Sequence, residues 1–149
     1  MKKPILIVTA LSIILGLSIA GFAGLTTRVT ADIPFDFSVG NKKFSSGKYT
    51  VGRGTSAQTL VIRDSENKES AVFLVQNASP RRDAKAMFVF NRYGDQYFLS
   101  QVWDGGAGDS GSVLGKSKAE RTAAKTARDT ITKNSGESQT VTILAQAGN

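Results

Sequence analysis

Two motifs in a glycine-rich stretch contain residues that could do chemistry. GDSG at 108–111 has the form that surrounds the nucleophilic serine of trypsin-like proteases, and GKS at 115–117 has the ending of a phosphate-binding loop. A serine hydroxyl becomes a useful nucleophile when a base removes its proton, and in those proteases the base is histidine. The chain contains no histidine. A serine hydrolase at Ser110 is therefore kept only as a third hypothesis for function.

The phosphate-loop motif fails on its spacing. The pattern requires a glycine five residues before the glycine of Gly-Lys-Ser. Counting back from Gly115 reaches Ser110, and Gly111 is one residue too close. The preceding FLSQVW is typical of an antiparallel hairpin arm, whereas a phosphate loop follows a buried parallel strand. The sequence therefore argues against nucleotide binding.

Metal and carboxylate chemistry also lack suitable residues. Because the chain has no Cys and no His, a zinc site would have to use carboxylates alone. Asp32 and Asp36 share one side of a predicted strand but would stand about 13 Å apart, too far to share a water or an ion. The sequence predicts no cofactor, no metal site and no catalytic residues, so the chain is interpreted as a non-enzyme.

Four residues near 90–103 are the candidate ligand-binding residues: Arg92, Tyr97, Gln101 and Trp103. Strict alternation would place the last three on one face of a strand, with Arg92 opposite Tyr97 across a hairpin. Aromatic rings beside Arg and Gln can bind a sugar or a peptide. They can equally close the end of a β core, which is the commoner role of aromatic side chains.

The N-terminal segment has the build of a secretory signal peptide. Lys2 and Lys3 open the chain, an almost wholly apolar run extends from Ile5 to Ala20, and small residues stand at the positions that a signal peptidase inspects. We therefore predict a signal at residues 1–23, cleaved after Ala23. The alternative is an uncleaved anchor, which would be the protein's only contact with a membrane.

The predicted mature chain, residues 24–149, is one β-rich domain that folds without disulfides, since there is no cysteine. Of the 19 Lys and Arg residues, Lys2 and Lys3 leave with the signal, so 17 remain against 12 Asp and Glu, a net charge of +5. An exported, periplasmic or extracellular location makes an envelope polymer, a glycan or a protein the expected partner. Nucleic acid is not an expected partner there.

Short strands separated by turn residues dominate the mature sequence. Six apolar residues occupy every second position in one predicted strand: Val29, Ala31, Ile33, Phe35, Phe37 and Val39. Pro34 cannot donate a ladder hydrogen bond, so this strand is expected at a sheet edge or bent there. Residues 72–75 are apolar on both faces, which predicts a strand inside a sheet.

The clearest hairpin lies at 86–103, with Gly94-Asp95 as its two-residue turn. In that register Phe90 pairs with Leu99 on one face, and Val89 pairs with Ser100 on the other.

The end of the chain is expected to combine a flexible loop, a helix and a last strand. A glycine-rich loop spans 104–116, and Ser117-Lys118-Ala119-Glu120 has capping-box form, opening a helix over 117–132. Alanines at 119, 123 and 127 with Ile131 form its shallow apolar stripe, and Lys, Arg, Lys and Arg at 118, 121, 125 and 128 occupy the opposite side. The fold class predicted is mainly β, an antiparallel β-sandwich or small barrel of about seven or eight strands with this one C-terminal helix.

Two stretches and their order resemble a family of small exported bacterial proteins of unassigned function: ADIPFDFSVGNKKFSSGKYTV at 31–51 and FNRYGDQYFLSQVW at 90–103, followed by a glycine break and KSKAE. The resemblance implies export and a β fold, and it supplies no catalytic residues. The leading hypothesis is a non-catalytic β domain acting through its surface in the envelope or outside the cell. The alternative is a carbohydrate- or peptide-binding module built on the hairpin.

Overall fold

The computed structural model describes residues 28–66, 70–81, 85–106, 111–131 and 139–148. The predicted signal at 1–23, Ser110 and the last predicted residue of the helix lie outside these ranges. Within the described ranges, no helix combines the length and the apolar character needed to cross a membrane.

The described chain is mainly β with one helix near its C-terminus, which confirms the coarse fold class. It has eleven strands among the described residues, more than the seven or eight predicted. In chain order the elements are β1 (Arg28–Ile33), β2 (Phe37–Val39), β3 (Lys42–Phe44), β4 (Gly47–Arg53), β5 (Thr59–Asp64), β6 (Ser70–Asn77), β7 (Met87–Tyr93), β8 (Gln96–Trp103), β9 (Gly111–Leu114), α1 (Lys118–Ile131), β10 (Gln139–Leu144) and β11 (Gln146–Gly148).

The strands form one open, mixed sheet. Antiparallel pairs connect them in the order β10-β7-β8-β9-β6-β5-β4-β1-β11. The β2–β3 hairpin lies off this path, and β2 meets β8 in parallel at Ser38 and Phe98. The sheet is therefore not the closed barrel that was one of the two predicted forms. Its two end strands, β10 and β11, are consecutive in the chain and separated by Ala145 alone.

Pro34 divides the long first strand that the alternation predicts. β1 ends at Ile33, and β2 begins at Phe37 with different neighbours, since β1 pairs with β4 and β11 while β2 pairs with β3 and β8. The proline ring removes a backbone donor, so a ladder cannot continue regularly through it. The chain bends at this residue, as predicted, and the alternation of buried residues continues on both sides of the bend.

Two further strands arise near the C-terminal end of the chain. Gly111–Leu114, placed by the sequence in the glycine-rich loop, forms β9 between β8 and β6. The predicted last strand divides at Ala145, whose backbone N–H donates to the carbonyl of Ala86 at 2.8 Å.

One core cluster joins residues from both ends of the strand path. Ile33 and Ile62, from β1 and β5, belong to the same buried cluster as Phe88 and Phe90 from β7. The ring of Phe37 lies 5.5 Å from that of Phe90 in a T-shaped arrangement, which links the β2–β3 hairpin to this core.

The prediction that residues 72–75 lie inside a sheet is confirmed, although one face of this strand is not covered. β6 does lie inside the sheet, between β5 and β9. Phe73 packs on the core and Val75 is buried, but Val72 is 64% exposed and Leu74 is 78% exposed. The outer side of β6 carries apolar residues that the described chain does not cover.

Helix α1 begins as the capping motif predicts. The Ser117 hydroxyl accepts the backbone N–H of Glu120 at 3.1 Å, as an N-cap residue does. Ala123 and Ala124 are buried against Tyr93 and Phe98 of the β7–β8 hairpin. The helix therefore packs on the sheet through alanines.

One residue of the predicted apolar stripe is misplaced, since Ala119 is exposed. Glu120 takes a place on the buried side instead, and it is 4% exposed.

Candidate functional site

The β7–β8 hairpin holds all four candidate ligand-binding residues, and its turn forms as predicted. Tyr93 pairs with Gln96, which leaves Gly94 and Asp95 as a two-residue turn, and Gly94 has a φ of 60°. That left-handed conformation suits glycine and the turns that fit a twisted hairpin. The predicted pairing of Phe90 with Leu99 is also confirmed.

Beyond that pair, a β-bulge changes the register. Val89 pairs with Gln101 and not with Ser100, so Ser100 is the extra residue on β8. Its hydroxyl turns back and donates to the carbonyl of Val89 at 2.9 Å. The predicted pairing of Val89 with Ser100 is wrong because a bulge places two residues of one strand against one of the other.

The bulge also separates the candidate residues onto two faces. Leu99 belongs to the main core and Tyr97 packs against that core. After the extra residue the alternation is reversed, so Trp103 packs with Val89 on the other face. The predicted shared face for Tyr97, Gln101 and Trp103 is therefore wrong.

Tyr97 is engaged by two neighbouring side chains. Its ring stacks on Phe35 with centroids 3.9 Å apart and planes 16° from parallel. The Arg92 guanidinium lies 5.5 Å from the centroid of the Tyr97 ring, within cation–π range, as the predicted cross-strand pairing of these two residues implies.

Arg92 has further partners that orient it along the hairpin. Its Nε donates to the carbonyl of Gly94 at 2.8 Å, and Nη1 donates to Oε1 of Gln139 at 3.4 Å. Nη2 lies 4.0 Å from a carboxylate oxygen of Asp95, and both side chains face solvent. Arg92 therefore secures the turn and reaches β10, and its guanidinium remains partly exposed.

Trp103 is buried and cannot present its ring to a ligand. It is 4% exposed, and its indole N–H donates to Oε1 of Gln101 at 2.9 Å. Gly111 passes directly beneath the ring, since a Cβ built there would meet two ring carbons at 2.7 Å. The side-chain oxygen of Gln101 thus accepts the hydrogen bond of the buried indole N–H, and the two side chains are bonded to each other.

Several residues of the other motifs also form hydrogen bonds with neighbouring parts of the chain. The Lys116 ammonium donates to the Tyr93 hydroxyl at 3.2 Å, and Ser117 caps α1. Asp36 accepts the backbone N–H of Ser46 at 2.8 Å, while Asp32 stands exposed on β1. Asp32 lies before the bend at Pro34 and Asp36 lies after it, and the two carboxylates do not form a common site.

A buried polar cluster that the sequence did not predict lies between α1 and the hairpin. Oε1 of Glu120 accepts a hydrogen bond from the Asn91 amide at 2.8 Å and one from the Tyr93 hydroxyl at 3.4 Å. In the sequence, Glu120 is the fourth residue of a capping box, whose side chain is expected to turn back toward the backbone N–H of Ser117. Nothing in that pattern signals burial, so only the tertiary contact with β7 identifies the cluster.

A narrow cleft of about 20 Å³ is lined by residues of β1, β4 and β5 together with residues of β8 and β9. Val29 and Leu60 form part of its wall, Arg53 and Asp104 border it, and the buried Ser112 lines it. This volume accommodates a single water molecule. Across the described residues, no three His, Cys, Asp or Glu side chains come together as a possible metal site.

The largest concentration of one charge sign on a described element is on the outer side of α1. We call this surface the basic face of α1, and it consists of four exposed side chains: Lys118, Arg121, Lys125 and Arg128. At 3.6 residues per turn these four positions fall within an arc of about 80°. In the described part of the chain no ion pair joins any of them to a carboxylate.

The chain was compared with protein-family models, with curated proteins and with solved structures, and none of the three comparisons finds a match.

Proposed function

We propose that the chain is an exported, non-catalytic β domain that acts through its surface in the cell envelope or outside the cell. The observation that carries this proposal is the basic face of α1, a row of four exposed cations on a helix whose opposite side is attached to the sheet. The N-terminal segment supports export through its lysines and apolar run. The lack of His and Cys in the whole sequence removes the side chains most used for general-base and thiolate catalysis, which supports the non-catalytic part of the proposal.

A second candidate is a carbohydrate- or peptide-binding module on the β7–β8 hairpin. The partly exposed stack of Arg92 on Tyr97 favours it, because an aromatic ring beside a guanidinium can receive a sugar or a peptide group. Trp103 and Gln101 contribute nothing to such a module, since the indole is buried and the amide is bonded to it. Glycan and peptide pull-downs with wild type and Arg92→Ala would test it, and equal capture of both would exclude the hairpin.

We also propose that the two halves of the strand path face each other as the layers of a sandwich. One half runs from β11 through β1, β4 and β5 to β6, and the other from β6 through β9, β8 and β7 to β10. The single core cluster that draws residues from both halves supports this arrangement.

Cell fractionation with determination of the N-terminal residue tests the export half of the proposal. The expected result is a processed chain beginning at Gly24 in the exported fraction. Intact polypeptide beginning at Met1 in the cell interior would contradict export.

Labelling with a fluorophosphonate probe tests the non-catalytic half. No labelling is expected, because the chain has no histidine to act as the general base for Ser110. Labelling of wild type that disappears in Ser110→Ala would show that the domain is an enzyme.

A further inference from the structure

We propose that the basic face of α1 binds an acidic polysaccharide, a linear chain that carries one carboxylate on each sugar unit. This inference deepens the proposed function. It rests on that proposal in one respect, because export is what would bring the protein into contact with such a polymer. It follows from the spacing of the four cations, from the way the helix is held, and from the absence of large apolar residues among the described side chains beside them.

The spacing suits a linear polymer with regularly repeated charges. Steps of three, four and three residues separate Lys118, Arg121, Lys125 and Arg128. At the rise of an α-helix these steps are about 4.5, 6 and 4.5 Å along the axis. In an extended polysaccharide with one carboxylate on each sugar ring, the distance between successive carboxylates is on this scale. The planar guanidinium group of each of the two arginines can donate two hydrogen bonds to one carboxylate.

The cations repel one another along the helix, and in the described chain none of them forms an ion pair with a carboxylate. Like charges three and four residues apart on a helix repel each other, and Lys118 in the first turn opposes the helix dipole. Glu120, the acidic residue of that first turn, points into the sheet toward Asn91 and Tyr93. The exposed side of α1 is left with a single carboxylate, Asp129.

The helix is held in position before any ligand binds. Ala123 and Ala124 pack on the hairpin, and the buried Glu120 is hydrogen-bonded to Asn91. A row of charges on a fixed helix loses less conformational freedom on binding than the same charges on a mobile tail.

The composition of the exposed side disfavours a membrane surface as the partner. A helix that lies in a lipid interface needs large apolar side chains beside its basic residues. Among the described side chains of α1, the exposed neighbours of the basic face are Ala119, Thr122, Thr126 and Asp129, and the remaining alanines face the sheet. A polymer that is bound through charge alone needs no such apolar contact.

The test uses protein purified from cells that express the full chain, with polygalacturonate as the acidic polysaccharide. Binding is measured at low salt for the wild type and for a variant with Lys118→Gln, Arg121→Gln, Lys125→Gln and Arg128→Gln. The matched control removes four exposed cations elsewhere: Lys43→Gln, Lys48→Gln, Arg63→Gln and Arg81→Gln. Both variants change the net charge equally, and glutamine preserves helix propensity.

We expect the helix variant to lose at least about 30-fold in affinity, while the control loses less than about 5-fold. Four charge contacts also predict a loss of roughly 50-fold for wild type between 50 and 200 mM salt, by analogy with single-stranded polyanions. The single variant Lys125→Gln should show an intermediate loss. Urea midpoints of all variants show whether a loss of binding reflects unfolding.

Several results would overturn the inference. Equal losses in the helix variant and the control would mean that net charge alone attracts the polymer. Equal or tighter binding of polyphosphate, duplex DNA or phosphatidylglycerol vesicles would assign the basic face of α1 to another class of partner. Binding by purified protein does not depend on export, so failure here would leave the exported-domain proposal standing. If the predicted signal is not cleaved in cells but the purified protein still binds the polysaccharide, only the export proposal is contradicted.

Discussion

At the scale of single residues, Trp103 lies so close to the neighbouring strand that one added methyl group has no room. A Cβ at Gly111 would stand 2.7 Å from two Trp103 ring carbons and 2.8 Å from the Cβ of Ala78. We expect Gly111→Ala to lower the free energy of unfolding by about 1–3 kcal/mol through overpacking. Because Trp103 is the only tryptophan, its fluorescence during urea denaturation measures the effect directly.

Gly115→Ala is the matched control for that substitution, since nothing lies within 4 Å of a Cβ built at Gly115. It should be neutral or slightly stabilising, because alanine reduces the freedom of the unfolded chain. Equal midpoints for the two variants would show that the ring of Trp103 is not packed against β9 as described.

The bulge at Ser100 makes a second prediction at this scale. Its hydroxyl, buried with the rest of the residue, donates to the carbonyl of Val89 at 2.9 Å. Ser100→Ala should therefore cost about 1 kcal/mol of stability in urea denaturation. Ser45→Ala, at an exposed position between β3 and β4, serves as control and should cost nothing measurable. If Ser100→Ala lowers the free energy of unfolding no more than the control does, the hydroxyl does not stabilise the bulge.

At the scale of elements, α1 depends on a buried carboxylate as much as on its alanines. Glu120→Leu removes the acceptor of the half-buried Asn91 amide and places an apolar side chain beside it. We expect a loss of about 1.5–3 kcal/mol, since hydrogen bonds from Asn91 and Tyr93 to a charged group are lost. Circular dichroism during urea denaturation reports the helix as it unfolds.

Two further substitutions separate this explanation from a general effect of charge. Glu120→Gln keeps an acceptor oxygen and should lose less than Glu120→Leu, and the exposed Asp129→Asn should lose almost nothing. A Glu120→Leu variant as stable as wild type would show that alanine packing alone holds α1.

The elements that the sequence predicted well are those with a strong local signal. Gly94-Asp95 gives the hairpin turn, Pro34 the bend, and Ser117 the start of the helix. The bulge at Ser100 has no such signal, since a small polar residue fits ordinary alternation too. An undetected bulge reverses the face of every later residue on the strand, which is why the proposed grouping of Tyr97 with Trp103 failed.

Other failures arose where only the neighbours of a segment decide its environment. Val72 and Leu74 are apolar, but no described element lies over that side of β6. The pattern of one strand cannot report whether a second layer is present. Glu120 is the opposite case. It is a charged residue in the first turn of a helix, and it is buried because α1 packs against β7.

At the scale of the whole molecule, the segment 139–148 pairs with both ends of the strand path. Its first part, β10, forms a six-residue ladder with β7, and its second part, β11, pairs with β1 over three residues. Val141, Ile143 and Ala145 from this segment also pack against the main core. The segment therefore covers two strand edges that would otherwise offer unpaired backbone groups.

Truncation at the C-terminus tests this dependence. Removing residues 139–149 should abolish cooperative unfolding in urea and produce concentration-dependent association in sedimentation velocity, because β7 loses its neighbour and becomes an exposed edge. Removing only residues 146–149 is the graded control, since β10 still covers β7 and the product should be a monomer with a lower urea midpoint. If the longer truncation stays monomeric and unfolds as cooperatively as the full chain, the sheet does not need its last two strands, and the two halves are held together by the core alone.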